Sequence, residues 1–153
     1  MTDRSVVDRV LNANRYLVLG TADAHGQPWV TPVFFAPLGP DRVCWVSSPD
    51  SRHSRNIASR AALAITVFDS TVEVGRAEAA YFEADAAQLM PDESNAALQA
   101  LNARLPNAKQ LSGDDLQPIG PMVIYQAEFR HRYVLIRGGN PQFGNALDMT
   151  VEV

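Results

Sequence analysis

Apolar residues near the start of the chain recur at helical spacing. The apolar stripe consists of Val6, Val7, Val10 and Leu11. With Asp3 close to its beginning, this spacing predicts an amphipathic helix of about ten residues that ends near Asn14.

Three segments with strand character follow this helix. They read "RYLVLGTAD", "QPWVTPVFFA" and "RVCWVSS", and the turn sequences "DAHG" and "PLGPD" separate them. In the third segment Val43 and Trp45 alternate with Cys44 and Val46, so the two pairs face opposite sides. The short turns predict a hairpin followed by a third antiparallel neighbour, which is a meander.

The pattern then changes to helix and returns to strand. "PDSRHSRNIASR" is poor in β-branched residues and predicts a helix of two to three turns. "AALAITVFD" is almost entirely apolar, which predicts a fourth strand buried on both faces. "TVEVGRAEAAYFEADAAQL" is long enough for one bent strand, with Gly75 at the bend.

A helical insertion interrupts the strands in the second half. Leu98, Leu101 and Leu105 share a helical face that stops at Pro106, and "SGDDLQPIG" predicts a loop or a short helical turn. "PMVIYQAEFRHRYVLIRGG" predicts one strand, or two that meet near residues 129–132, and a last short strand ends the tail.

These elements predict a fold that is mainly β with peripheral helices, an antiparallel barrel formed by one domain over residues 1–153. A doubly wound α/β fold is disfavoured, because the first connections are too short for parallel crossovers.

Composition narrows the setting of the protein. The net charge is −4, and neither a long basic run nor an apolar run near the ~20 residues of a membrane span is present. Cys44 is the single cysteine, and the first residues lack a signal-peptide core. We therefore expect a cytoplasmic protein with no nucleic-acid or membrane partner.

Three basic side chains lie together at the predicted start of the second helix. The stretch "SSPDSRHSRN" runs from Ser47 to Asn56, and Ser48 with Pro49 fits the helix cap and the first helical position. Asp50 and Ser51 are alternative caps. Basic groups at the positive end of a helix are unfavourable unless an anion compensates them.

The chemistry of this stretch matches a phosphate group. Its candidate donors are the hydroxyls of Ser47, Ser51 and Ser54, the guanidinium of Arg52 and the imidazole of His53. The alternative is a solvated helix face on which the serines only cap the helix. Pro32 in the second strand indicates an edge, a bulge or a backbone turned toward a ligand.

Residues 16–69 together resemble the pyridoxamine 5′-phosphate oxidase-like, FMN-binding split-barrel superfamily. The shared pattern is "T-x-x-x-x-G-x-P" in the hairpin, then a strand ending in serine, then a short basic stretch ending in Asn-Ile. The resemblance implies a split β-barrel and a homodimer with FMN between its subunits. It also implies hydride transfer at the flavin ring with a small-molecule substrate.

The resemblance assigns cofactor contacts to named positions. Beside the flavin ring and ribityl chain it places Thr31, Pro32, Val33 and Phe34. Around the phosphate it places Ser47, Ser51, Arg52 and His53, with Ser48 and Asn56 as weaker candidates. Tyr133 and Arg137 are candidates to reach the partner's cofactor, and Glu78 falls where relatives often carry glutamine. The insertion at residues 85–120 is expected to face the substrate.

Departures from the family pattern argue against oxidation of pyridoxamine phosphate itself. His53 and Ala36 stand where relatives carry lysine, and "LDMTVEV" lacks the arginine common near the family's C-terminus. Two alternatives stay open: a deazaflavin-dependent reductase on the same fold, and a non-catalytic protein that stores flavin or haem.

Other reactive residues favour structural roles. Trp29 and Trp45 alternate along strands and are expected in the core, and Cys44 is expected to be a buried, inert thiol. His25 is expected in a turn and His131 at a solvated strand end. The spacing of the three histidines gives no support to a zinc site.

Overall fold

The computed structural model describes residues 4–153, and the predicted helix start at Asp3 lies outside them. Helix α1 spans Arg4–Ala13 and buries Val7, Val10 and Leu11, as the apolar stripe predicted. The other helices are α2 (Arg52–Ser59) and α3 (Ser94–Asn102). Short 3-10 turns lie at Pro91–Glu93, Asn107–Lys109 and Gly113–Asp115.

The remaining elements form one antiparallel sheet. Its strands are β1 (Tyr16–Ala22), β2 (Pro28–Phe34), β3 (Ala36–Pro37), β4 (Arg42–Ser47), β5 (Ala62–Phe68), β6 (Ala79–Gln88), β7 (Val123–Ile136) and β8 (Met149–Glu152). Their order is β2-β1-β5-β6-β7-β4-β3, and β8 pairs with β7.

The sheet is curled into a barrel. Strands β2 and β3 stand at opposite ends of the strand order, yet only Phe35 separates them along the chain. Both ends of the sheet therefore meet at Phe35, whose side chain is fully buried. This is an antiparallel split barrel, mainly β with helices at its periphery, as predicted.

Strands β1 and β2 form the predicted hairpin. They pair from Tyr16 with Phe34 to Ala22 with Pro28. In the turn the Asp23 carboxylate accepts hydrogen bonds from the amides of His25 and Gln27. Strand β2 is a terminal strand of the sheet, which explains how it tolerates prolines.

The predicted meander is wrong at its third strand. Strand β4 pairs with β7, from Arg42 with Glu128 to Ser47 with Val123, and with β3, but not with β2. The short connection after β2 carries the chain across the seam at Phe35 instead of turning it back beside β2.

The expectation that the fourth strand is buried on both faces is also wrong. In β5 the side chains of Leu63, Ile65 and Val67 are buried, whereas Ala64 and Phe68 are exposed. The strand alternates as any strand does, and its second face carries apolar residues without a covering layer in the single chain.

The long strand predicted around Gly75 is shorter than expected. Gly75 lies in a turn with φ +88°, and strand β6 begins only at Ala79. The irregularity lies further on, where the register of β6 against β7 shifts between Glu83 and Ala84. This shift lets β7 continue as one 14-residue strand.

The insertion between β6 and β7 packs around α3. Leu101 is buried beside Ala97, and the helix ends at Asn102, before Pro106. Leu98 is half-buried on the same face as Leu101, so the predicted apolar face is confirmed for these two residues, whereas Leu105 lies beyond the end of the helix. The predicted short helical turn is present at residues 113–115.

Candidate functional site

Helix α2 begins three residues later than the preferred cap predicted, at Arg52 instead of Pro49. Ser51 has extended backbone angles, and its Oγ accepts a hydrogen bond from the amide of Ser54 at 3.4 Å. The Ser48 carbonyl accepts from both the amide and the hydroxyl of Ser51, at 3.2 and 2.8 Å. Ser48 and Pro49 therefore form the turn before the helix, and the alternative cap, Ser51, is the actual one.

Two hydroxyl groups and an imidazole converge at this helix start. His53 Nε2 lies 2.8 Å from Ser47 Oγ and 3.3 Å from Ser51 Oγ. Ser47 is the last residue of β4, so the strand end and the first turn of α2 are joined through His53. Burial lowers the pKa of His53 below its usual value, which keeps the ring neutral at neutral pH.

Arg52 has a different kind of neighbour. Its guanidinium carbon lies 4.2 Å from the centre of the Trp29 ring. Within residues 4–153 no carboxylate oxygen comes within 4.0 Å of Arg52. The Asp23 carboxylate lies beyond that distance. Its pKa is lowered mainly by the hydrogen bond from the Gln27 amide, and the charge of Arg52 has the smallest effect on it. The guanidinium of Arg52 therefore makes a cation–π contact with Trp29.

The two tryptophans have different environments. Trp45 is fully buried and stacks on Tyr125, as predicted. Trp29 is 39 % exposed, so the expectation of a core position is wrong for it. It lies near the free end of the edge strand β2, where the sheet has no further strand to cover it.

The other polar residues of α2 serve its attachment. Asn56 is buried, and its Nδ2 donates to Thr21 Oγ1 at 3.0 Å, so one N–H of its side chain is engaged within the chain. Ser54 is buried with its Oγ 2.7 Å from Ser51 Oγ. Arg55 points outward and donates to the Asp50 carbonyl at 2.6 Å.

The four candidate residues of β2 divide between the two faces of the strand. Val33 is in the core and Thr31, on the same face, is half-buried. Pro32 is exposed on the other face, and Phe34 packs edge-on against Tyr16. A flat ligand along this strand would therefore meet backbone groups at Val33 rather than its side chain.

The uncovered face of the sheet carries an apolar groove of about 470 Å³. Its floor is formed by the middle strands, at Val18, Gly20 and Ala64, and Tyr133 lies on its far side. Of the other candidates, Arg137 is paired with Asp148 at 2.7 Å and Glu78 with Arg9 at 2.6 Å. Both charged groups are thus held by neighbours within the chain.

The helix start offers a set of donors suited to a phosphate. The amides of Ser54 and Arg55 are bonded to the Oγ and the carbonyl of Ser51. In the described part of the chain, the amides of Arg52 and His53 have no such acceptor, as expected for the first turn of a helix. Two amides, two hydroxyls, an imidazole and a guanidinium fit an anionic group with several oxygens.

A family model described as pyridoxamine 5′-phosphate oxidase matches residues 5–132. The chain belongs to the pyridoxamine 5′-phosphate oxidase family. This matched segment runs from α1 into the second half of β7, so it contains both the hairpin and the start of α2. A comparison with curated proteins finds no match.

Solved structures share the fold of this pyridoxamine 5′-phosphate oxidase family member. A proposed 5-nitroimidazole antibiotic resistance protein from Bacteroides thetaiotaomicron matches with TM-score 0.72 and 16 % identity, over 86 % of this chain and 82 % of that one. HutZ, the heme storage protein from Vibrio cholerae, matches with TM-score 0.68 and 18 % identity, over 85 % and 92 %. A FAD-binding protein from Mesorhizobium loti matches with TM-score 0.64 and 18 % identity, over 86 % and 92 %.

Two features are absent from the described part of this family member. Among residues 4–153, no three His, Cys, Asp or Glu side chains are grouped to hold a metal ion. No helix within the same range is both long and apolar enough to cross a bilayer.

Trp29 and Thr21 are the site residues that the sequence did not indicate.

Proposed function

We propose that this protein binds FMN, with its phosphate at the start of α2, and acts as a flavin-dependent oxidoreductase. The observation that carries the proposal is the convergence of Ser47, Ser51 and His53 beside an arginine that lacks a carboxylate partner in the described chain. Backbone amides and a guanidinium at a helix start are suited to bind phosphate oxygens.

The side chains around this phosphate would contribute different interactions. Arg52 supplies the permanent charge, and Ser47 supplies a hydroxyl donor. Ser51 would supply a second one by turning its hydroxyl from the Ser48 carbonyl to the phosphate. The neutral His53 contributes a hydrogen bond, and its uptake of a proton would be favoured when a phosphate dianion arrives.

The flavin ring would lie along the edge strand β2, beside residues 31–34. An edge strand offers backbone N–H and C=O groups on its open side, and these suit the polar atoms of a flavin ring. FMN, when bound, supplies hydride transfer; the chain's residues bind and orient it.

A second copy of the chain would complete the site. The face of the sheet that carries the apolar groove includes Val30, which is 63 % exposed, and the outward alanines of β5. A homodimer formed through this face would shield these residues and place the groove between subunits. The partner's groove residues would then contribute to the surroundings of the flavin.

An absorption spectrum of the purified protein, with and without added FMN, tests the proposal. Flavin bands that shift on binding, followed by reduction with NADH or NADPH and turnover of an acceptor, would support it. A Soret band would instead support haem storage, the role of HutZ. Binding of a deazaflavin but not FMN would support the deazaflavin alternative.

Replacement of Arg52 tests the phosphate assignment. We expect Arg52→Ala to weaken FMN binding by roughly tenfold to a hundredfold, since it removes a charge-assisted contact. Arg55→Ala is the matched control, because Arg55 is an exposed arginine three residues along the same helix, and its side chain donates to the Asp50 carbonyl. Equal loss in both variants, or none in Arg52→Ala, would overturn the assignment.

A further inference from the structure

Arg52 occupies an electrostatic position that needs explanation. It is the first residue of α2, where the helix dipole disfavours a positive charge. A carboxylate would normally relieve this, but none within residues 4–153 approaches within 4.0 Å. The face of Trp29, 4.2 Å away, is the contact that holds the guanidinium.

Trp29 is itself tied to α2 by a second route. Its backbone carbonyl accepts a long hydrogen bond, 3.5 Å, from Thr21 Oγ1. Thr21 Oγ1 in turn accepts from Asn56 Nδ2 at 3.0 Å. Because Arg52 and Asn56 are four residues apart, they lie on the same side of α2. The hairpin is therefore fixed to one side of the helix at two points, one turn apart.

A guanidinium that stacks on an aromatic face keeps its N–H donors free, whereas one that pairs with a carboxylate does not. A carboxylate occupies the N–H donors of a guanidinium and cancels its charge. An indole face contacts the flat surface of the guanidinium, so the N–H groups around its edge stay open to an acceptor in the same plane.

We propose that Trp29 is a positioning residue for the phosphate site: its indole holds Arg52 in place so that the guanidinium edge faces the phosphate of FMN. This inference rests on the proposed function. Trp29 does not contact the phosphate in this arrangement, and it acts only through Arg52. Its effect should therefore depend on whether the ligand carries a phosphate at all.

The pair FMN and riboflavin tests this directly, because riboflavin is the same flavin without the phosphate. We expect Trp29→Ala to weaken FMN binding roughly tenfold and riboflavin binding less than about twofold, measured by fluorescence titration. Trp29→Phe keeps an aromatic face and should recover most of the affinity for FMN. Arg52→Lys keeps the charge but not the flat group, so we expect it to resemble Trp29→Ala.

The ratio of FMN to riboflavin affinity separates the possible results. If the wild-type protein binds FMN no better than riboflavin, the proposed phosphate site itself fails. If the wild type prefers FMN and Trp29→Ala changes neither affinity, only the role of Trp29 fails. If Trp29→Ala weakens both ligands equally, Trp29 supports the ring or the fold and the inference is overturned. A thermal unfolding curve of each variant verifies that the protein remains folded.

Discussion

His53 is a histidine whose protonation is opposed by its surroundings. Its Nε2 is within hydrogen-bond distance of two hydroxyls, and burial lowers its pKa from the usual 6.5. The unfolded chain therefore takes up a proton at this residue more readily than the folded chain does. Protonation at His53 consequently favours unfolding, and its contribution to stability is present above the ordinary pKa and lost below it.

We expect the FMN-free protein to lose stability as the pH falls from 7.5 to 5.5, and His53→Gln to lose less. Glutamine is neutral over this range and offers a side-chain amide to the same hydroxyls. Urea unfolding at both pH values measures the difference, and His25→Gln serves as the control because His25 is exposed in a turn. An identical pH dependence in wild type and His53→Gln would contradict the assignment.

At the scale of elements, one arginine side chain links the insertion that carries α3 to α1 and to the seam of the barrel. Arg104 donates to the Phe35 carbonyl at 2.6 Å and to the carbonyls of Leu11 and Asn14 at 3.0 and 2.6 Å. It also stacks over the Phe35 ring at 4.8 Å. One guanidinium thus joins the insertion, the end of α1 and the seam of the barrel.

We expect Arg104→Ala to lower the free energy of unfolding by about 2–3 kcal/mol, because it leaves several carbonyls without a charged donor. Arg60→Ala is the control, since Arg60 is exposed and, among residues 4–153, its side chain has no hydrogen-bond acceptor. Its effect should stay within about 0.5 kcal/mol. Chemical denaturation compares the two variants, and equal effects would show that Arg104 does not fasten these elements.

Local elements were predictable from sequence because their causes are local. The stripe of α1, the hairpin turn at Asp23 and Gly26, and the stop of α3 before Pro106 each depend on a few adjacent residues. The pairing of β4 was not predictable from sequence, because its partner strand β7 lies about 80 residues further along the chain. The same pattern of short turns fits a meander and a seam equally well.

In the candidate site, too, local features were predictable from sequence and contacts between elements were not. The basic stretch indicated a phosphate site because serine, arginine and histidine are adjacent in sequence. The stacking of Arg52 on Trp29 joins residues from two elements. For Trp29, residue type alone predicted only the general tendency of tryptophan to be buried. Ser51 rather than Ser48 caps α2 because of the backbone angle at Ser51, which the residue types alone leave undecided.

At the scale of the whole molecule, the bare outer face of β5 predicts association. We expect the protein to be a dimer in solution and Ala64→Glu to convert it to a monomer, because the new charge would be buried without a partner. Ala96→Glu is the control, since it adds the same charge at an exposed position on α3. Sedimentation measures the oligomeric state. A monomeric wild type, or a dimer unaffected by Ala64→Glu, would contradict this interface.

The edge strand β2 also affects how the chain behaves at high concentration. The open side of such a strand can pair with the same strand of another molecule, and that is a common route to aggregates. Pro28 and Pro32 are two of its seven residues, and neither has an N–H to donate to an incoming strand. The proline that the family resemblance places beside the flavin therefore also discourages copies of the cofactor-free protein from joining edge to edge.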